Sequence, residues 1–419
     1  MIFGAPLDFI LFAVTLLGVA VFHHNTLQVA LGGLGTILLY KVLFIGFKFG
    51  PGVGGLIGHL GHEWVILSNL LLLLVGFALL SDHFEKSHVP ELLPKYLSAG
   101  WQGSFALLVM IFILSSFLDN IAAAIIGGTI ASIVFDKRVH IGYLAAIVAA
   151  SNAGGAGSVV GDTTTTMMWI AGVSPIQVFP AYVASVVALF IFGIPAAIQQ
   201  HKHQPLVPSA SEALHIDVAR LGIVFFILGL AIVANILANV VFVGLADHVP
   251  VLGAAVWTAL LVTAPLRRPN WGLLPETLKG SIFLLALVTC ASLMPVEKLP
   301  AASWQSAFTL GFVSSVFDNI PLTALAISQG GYDWAMLAYA VGFGGSMIWF
   351  GSSAGVAISN IFPEAKSVGA WVKNGWYIVA AYVIGFFVML ALVGWNPSEK
   401  RAVQPAQPAA HAAPSAQGH

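Results

Sequence analysis

One stretch limits the folds open to this chain: Ser151-Asn152-Ala153-Gly154-Gly155-Ala156-Gly157-Ser158-Val159-Val160-Gly161-Asp162, followed at once by Thr163, Thr164, Thr165 and Thr166. Apolar helix-forming sequence flanks it, Ile141 to Ala150 before and Met167 to Ala171 after. The whole chain is 58% hydrophobic and 8% charged, with a mean hydropathy of +0.94. Soluble chains carry about 25% charged residues, so these values predict an all-α polytopic membrane protein. In hydrocarbon every backbone N–H and C=O needs a partner, and a glycine-rich interruption is tolerated only where protein covers it or a solvated cavity borders it. Half-helix ends at membrane depth present dipoles and free carbonyls, from which ion sites can be built.

The interruption occurs twice. Ala153-Gly154-Gly155-Ala156 through Gly161-Asp162-Thr163 aligns without a gap on Phe343-Gly344-Gly345-Ser346 through Gly351-Ser352-Ser353. Upstream of each copy lies a second matched pair, Ser115-Ser116-Phe117-Leu118-Asp119-Asn120-Ile121 and Ser314-Ser315-Val316-Phe317-Asp318-Asn319-Ile320. Two motifs repeated in one order predict an internal duplication. Gly154, Gly155, Gly161, Gly344, Gly345 and Gly351 are read as the backbone breaks.

Apolar runs able to cross a bilayer, which takes about 20 helical residues, lie near 6–22, 27–48, 64–82, 177–198, 216–243, 250–266, 278–294 and 374–395. The broken helices occupy about 141–172 and 334–360. Two short apolar arms meeting at Asp119-Asn120 and at Asp318-Asn319 predict re-entrant hairpins over about 99–135 and 300–330. Each half then has three spans, a hairpin, a broken helix and a further span. That makes an odd number of crossings, so the second repeat is inverted relative to the first. The expected division is repeat 1 over 1–198, a polar linker over 199–215, repeat 2 over 216–395 and a disordered Ala/Pro/Gln tail over 396–419.

Lysine and arginine in the loops set orientation. Lys86, Lys95, Lys137, Arg138, Lys202, Arg220, Arg267, Arg268, Lys279, Lys366 and Lys373 fall on one face, against Lys41, Lys48, Lys298, Lys400 and Arg401 on the other. The richer face marks the cytoplasm, which puts both termini and the second hairpin outside. Met1 to Pro6 lacks a basic n-region and reads as the lead-in to a span, not as a removable signal. A net charge of −1 gives no basic excess for nucleic acid. The single cysteine, Cys290, permits neither a disulfide framework nor a thiolate metal site and reads as a packing residue.

Asp119, Asp162 and Asp318 are the carboxylates placed deepest. Charge at membrane depth costs several kcal/mol, so such acids point to function. The plainer alternative is helix capping, since Asp and Asn are good N-caps and Pro321 stands where a helix start tolerates proline. Capping alone leaves a charged neighbour superfluous in each Asp-Asn pair. The functional reading is a site for a hard monovalent cation, Na+ at Asp119, Asp162 and Asp318, completed by oxygens of Asn120, Asn152, Thr163, Asn319, Ser352 and Ser353. Four consecutive threonines cannot all face one site on a helix of about 3.6 residues per turn. Some must bond back to carbonyls, which favours Thr163. Desolvation disfavours a charged carboxylate, so proton and sodium can compete for one group and couple their fluxes directly. His59 and His62 with Glu63, and His201 with His203, are read as solvated interfacial residues, because neither pair has a third ligand at metal-like spacing.

At these residues the chain resembles the NhaD-type sodium/proton antiporters of the ion transporter superfamily, which also holds arsenite permeases and citrate or dicarboxylate carriers. The motifs are Leu118-Asp119-Asn120-Ile121, Asn152 to Ala156 with Gly161-Asp162 and the Thr run to Trp169-Ile170, Phe317 to Leu322, and Gly344-Gly345-Ser346 with Gly351 to Ala357. The likeness covers nearly the whole length. It departs at Ile121-Ala122-Ala123-Ala124, where such antiporters commonly place threonines, and at Ser158-Val159, where they place Ser-Pro. The resemblance implies a secondary Na+ (or Li+)/H+ antiporter, not an enzyme and without a cofactor. It further implies a scaffold and a moving transport domain in an elevator-like cycle, a homodimer, lipid as the surrounding partner and a bacterial inner-membrane location. The alternative within the superfamily is a Na+- or H+-coupled carrier of citrate or another organic anion, or an arsenite permease. A non-transporting scaffold or a channel is the reading from another class; neither requires paired broken helices.

Overall fold

A computed structural model of the chain describes residues 6–22, 25–92, 97–207, 215–238, 242 and 245–398. Among the described residues the regular structure is helical, apart from one bridge pairing Phe47 with Gly50. The first half holds α1 (Leu7–Val21), α2 (Thr26–Tyr40) and α3 (Gly52–Glu85). The paired arms α4 (Trp101–Ser115) and α5 (Asn120–Val134) come next, then the two pieces α6 (Ile141–Gly155) and α7 (Thr163–Ile170), and finally α8 (Ala181–His203). The second half follows the same order. It contains α9 (Val218–Ile236), α10 (Val251–Thr263), α11 (Leu274–Ser292), the arms α12 (Trp304–Ser314) and α13 (Asn319–Gln329), and α14 (Trp334–Ala338) prolonged by a π-turn over Tyr339–Phe343. It closes with α15 (Ser353–Ile361), α16 (Val368–Asn374) and α17 (Trp376–Leu392).

Thr26–Ile45, Gly52–Glu85, Pro175–His203 and Trp271–Ser292 are long and apolar enough to cross a bilayer, and α16 with α17, bent by 59°, form a fifth candidate. Two expected spans are shorter than the sequence suggested: α1 has 15 residues and α10 has 13. Proline is the local reason at α10, which starts directly after Pro250 and ends just before Ala264-Pro265, where the helical conformation is disfavoured. The helix α9 is described to Ile236, and residues 239–241 and 243 of the expected run lie outside the described set. At the other boundary α8 continues through His203 into the expected linker, and residues 208–214 of that linker lie outside the described set.

The helices pack in two groups. In one, α3 contacts α9, α10 and α11, while α2 contacts α1 and α11. Buried Asn69 on α3 accepts the Gly253 N–H at 3.0 Å, and the Trp257 indole donates to the Leu72 carbonyl at 2.9 Å, so α10 is held to α3 by polar anchors within an apolar seam. In the other group α8 packs against α4, α6 and α17, and α5 packs against α6 and α15. Here Tyr339, Phe343 and Tyr382 stack with near-parallel rings, and the Tyr382 hydroxyl donates to Phe308 O at 2.7 Å, which locks α17 to the arm α12. The groups meet chiefly where α11 packs on α13, with a smaller contact of α3 on α7. Cys290 lies fully buried in α11, as a packing residue would.

Candidate cation site

Each helix break is stabilised by the hairpin arm beside it. Carbonyls near the end of α6 receive hydroxyls from α4 and its C-cap: Ser115 Oγ donates to Ser151 O at 2.5 Å and Ser116 Oγ to Gly154 O at 3.1 Å. In the other half Ser314 Oγ donates to Val341 O at 2.7 Å. These bonds satisfy backbone groups that lipid could not. None of the six break glycines has a positive φ, so their role is close approach. A Cβ on Gly154 would collide with the Phe112 carbonyl and one on Gly344 with the Gly311 carbonyl. On Gly161 it would strike Ser115 O, and on Gly351 it would stand 2.6 Å from Ser315 O. Gly155 and Gly345 face Gly161 O and Gly351 O across their own loops, at 2.5 and 2.7 Å for an added Cβ.

The acids stand at helix starts. Asp162 is the N-cap of α7 and its Oδ1 accepts from Thr164 N at 3.1 Å; Asp318 is the N-cap of α13 and its Oδ1 accepts from Ile320 N at 3.0 Å. Ser352 caps α15 in the same way, accepting from Gly355 N at 3.3 Å, and Asp119 occupies the N-cap position of α5. Capping is therefore real, and it uses only part of each group. Asp318 Oδ2 also receives the Ser353 hydroxyl at 3.1 Å.

Around Asp162 the bonding extends across the molecule. Asn120 Nδ2 donates to Asn152 Oδ1 at 2.9 Å and to Asp162 Oδ1 at 3.4 Å, while Asn152 Nδ2 donates to Ser346 Oγ at 2.9 Å and to Ser352 Oγ at 3.1 Å. One chain of polar groups thus links the first hairpin tip to both helix breaks. All five residues are buried, Asp162 with 1% of its surface exposed. Its second oxygen, Oδ2, has no hydrogen-bond partner among the described residues.

Asp119, Asp162, Thr163 and Thr166 line a cavity of about 470 Å³ whose walls run along α3 from Leu70 to Glu85 and from Leu273, just before α11, along that helix to Leu284. Three further acids line it, Asp82 and Glu85 at the end of α3 and Glu276 at the start of α11, and among the described residues no lysine or arginine does. Asp82 is paired with Lys86 at 2.8 Å and accepts from Asn270 at 3.2 Å. In the sequence these positions lie at or just outside the ends of the apolar runs 64–82 and 278–294. Only the packing of α3 against α11 turns them toward one space.

The other named residues divide. Thr165 Oγ1 bonds to Ser158 O at 2.5 Å and Asp162 O at 2.9 Å, and Thr166 Oγ1 to Val159 O at 2.9 Å; Thr163 and Thr166 lie on the cavity wall, and Thr164 Oγ1 is buried with no hydrogen-bond partner among the described residues. Asn319 is buried beside Asp318, outside the chain of bonds around Asp162. Ser346, which the repeat alignment contains but the choice of ligands passed over, bonds directly to Asn152. One histidine departs from its reading: His59 is buried, 5% exposed, with Nε2 3.1 Å from Ser292 Oγ, because α11 packs over that face of α3.

Among the described residues no three of His, Cys, Asp and Glu converge as a metal centre. The oxygens gathered here come from carboxylate, amide and hydroxyl groups, the donors that hard cations take.

No family model matches the chain. Among curated proteins it is similar to sodium/proton antiporter 1 of Arabidopsis thaliana, 26% identical over 354 residues, which covers 76% of this chain and 58% of that protein. Sodium/proton antiporter 2 of the same plant is 26% identical over 357 residues, covering 76% of this chain and 80% of the relative. The Na(+)/H(+) antiporter NhaD of Alkalimonas amylolytica is 27% identical over 299 residues, covering 59% and 60%. The match therefore spans less than two thirds of the length of two of these relatives. These likenesses bear out the resemblance to NhaD-type sodium/proton antiporters that the motifs carry, and the apolar helices make the chain a multi-pass integral membrane protein.

Proposed function

We propose that the protein is a secondary antiporter that exchanges Na+, or Li+, for H+, with Asp162 as the group for which cation and proton compete. The observation that carries this reading is a carboxylate with 1% exposure whose Oδ1 is tied to Thr164 N and Asn120 while Oδ2 is left without a partner. An unsatisfied buried acceptor costs about 1–3 kcal/mol, more when charged. A proton or a sodium ion on Oδ2 removes that cost, and only one of the two can be there at a time. The names of the relatives, each a sodium/proton antiporter, support the same ions.

The exchange then runs in a simple order. The cation enters along the cavity, where Asp82, Glu85 and Glu276 favour positive charge, and meets Asp119 and Asp162; the proton leaves by the same route. Alternating access would move the hairpins and broken helices against α1–α3 and α9–α11, an elevator-like motion with the site near the bilayer midplane. The division of the helices into two groups that meet mainly through α11 on α13 supports it. Two inverted repeats, 1–198 and 216–395, are supported by the matched element order and by the paired glycine contacts at Gly154 with Phe112 O and Gly344 with Gly311 O. With the lysine-rich face cytoplasmic, the cavity opens inward, and both termini are periplasmic in a bacterial inner membrane.

Everted membrane vesicles that contain the protein test the reading. Addition of Na+ should dissipate an imposed pH gradient at some pH between about 6 and 9, the range in which a perturbed acid titrates. Vesicles whose gradient is insensitive to Na+ and Li+ across that range would rule it out.

A further inference from the structure

The cavity that Asp119 and Asp162 line is far larger than an inorganic ion requires. Its volume of about 470 Å³ falls in the range of about 300–1,000 Å³ that drug-sized ligands occupy. Its acids grade from exposed to buried: Glu85 and Glu276 are open to solvent, whereas Asp162 has 1% of its surface exposed. The rest of the lining is largely apolar, with Leu73, Leu74, Phe77, Ile121, Ile126 and Leu284 among the walls. Two lining residues carry a buried polar atom without a hydrogen-bond partner among the described residues, Asp162 Oδ2 and, beside Asp82, Ser81 Oγ. A hydrated inorganic ion satisfies the acids and leaves the apolar walls facing water. A cation that carries an apolar body satisfies both.

We propose that this cavity also binds monovalent organic cations, an amidinium or primary ammonium on an apolar body, which lodge in the transport route and compete with Na+. This rests on the reading of the cavity as the cation's route. The head group's N–H donors meet the carboxylates of Asp119 and Asp162, and the aryl or alkyl body displaces water from the leucine and phenylalanine walls. Taking a charged head out of water is tolerated only where an opposite charge receives it, and the acids supply that charge. A neutral molecule of the same shape gains the walls without the acids. A small hydrophilic cation gains the acids without the walls.

The test uses purified full-length protein in detergent and reads the rise in melting temperature caused by benzamidinium chloride. The controls are its neutral isostere benzamide and choline chloride, a cation with no N–H group and little apolar body. Benzamidinium should raise the melting temperature saturably where equal benzamide or choline does not. Saturating NaCl should raise its half-saturating concentration at least about fivefold, as competition for one site demands. Gly280 lines the cavity from α11 and an added Cβ there meets nothing within 4 Å, so Gly280→Trp should fold and fill the space. That variant should lose the benzamidinium response and keep the NaCl response. Ala78→Phe plugs the cavity from the α3 wall and serves if the first variant does not fold. Benzamide as effective as benzamidinium, no response to either, a response indifferent to NaCl, or one that survives in a folded plugged variant would each overturn the proposal. Melting reads binding without transport, so absence of antiport in wild-type vesicles would defeat the exchange reading alone, whereas an NaCl response without a benzamidinium response would defeat the organic-cation site alone.

Discussion

A side chain that only caps a helix can be exchanged for another good cap at little expense, and Asp162 offers that comparison. Asn caps as well as Asp, so Asp162→Asn should leave the melting temperature in choline chloride close to wild type while Na+-dependent gradient collapse falls to background. Asn152 is the opposite case. Its amide serves Asn120, Ser346 and Ser352 together, and Asn152→Ala strands buried partners at about 1–3 kcal/mol each, to be seen as a marked drop in melting temperature. Asp217, outside the spanning helices, has its carboxyl held below its ordinary value of 3.8, first by the Arg267 hydrogen bond, 2.8 Å long, and then by the Arg220 N–H and both guanidinium charges. A depressed acid stabilises the fold above its unfolded pKa and loses that contribution as pH falls through the folded one. The melting difference between wild type and Asp217→Asn should therefore be full at neutral pH and shrink in acid. At this scale the sequence disclosed residue types but not partners. Ser346 gave no sign of its role because its bond to Asn152 crosses 194 positions, and His59 hid its burial because Ser292 lies 233 positions away.

The helical elements were legible because lipid enforces a narrow grammar of apolar runs and breaks. The first pair of arms, Trp101–Ser115 and Asn120–Val134, meets at the Asp-Asn pair, and the first break falls between Gly155 and Thr163. Helix length was less legible, since Pro250 and Pro265 trim α10 to 13 residues inside a longer apolar run. Nor did the sequence distinguish glycine as a helix breaker from glycine as a contact surface. The collision of a Gly154 Cβ with the Phe112 carbonyl decides for contact. Gly154→Ala should thus lower stability by about 1–3 kcal/mol through overpacking against backbone. Gly54→Ala on α3, where an added Cβ meets nothing within 4 Å, should be neutral or slightly stabilising. Thermal melts of the two variants side by side provide the check.

At the scale of the whole molecule, the two-group packing and the acid-lined cavity came from tertiary structure alone. The cavity predicts a route to the site from the side where Asp82 and Glu85 lie. The chain has one cysteine, so Cys290→Ser gives a background for a single reporter at Ala122, a cavity-lining position next to Ile121. In that background Ala122→Cys should react with an impermeant thiol reagent in everted vesicles, and Na+ should slow the reaction. The expected disordered tail begins with held residues: Asn396 and Ser398 bond to Asp333 and to Trp334 and Gln177 at 2.9 Å each, while 399–419 lie outside the described residues. The central claim remains that one buried carboxylate serves cation and proton in turn. Its most direct measurement is proton release when NaCl is added to purified protein in weakly buffered detergent solution. The account predicts release that saturates with Na+ in the wild type and is absent in Asp162→Asn; no release from wild type, or equal release from the variant, would contradict it.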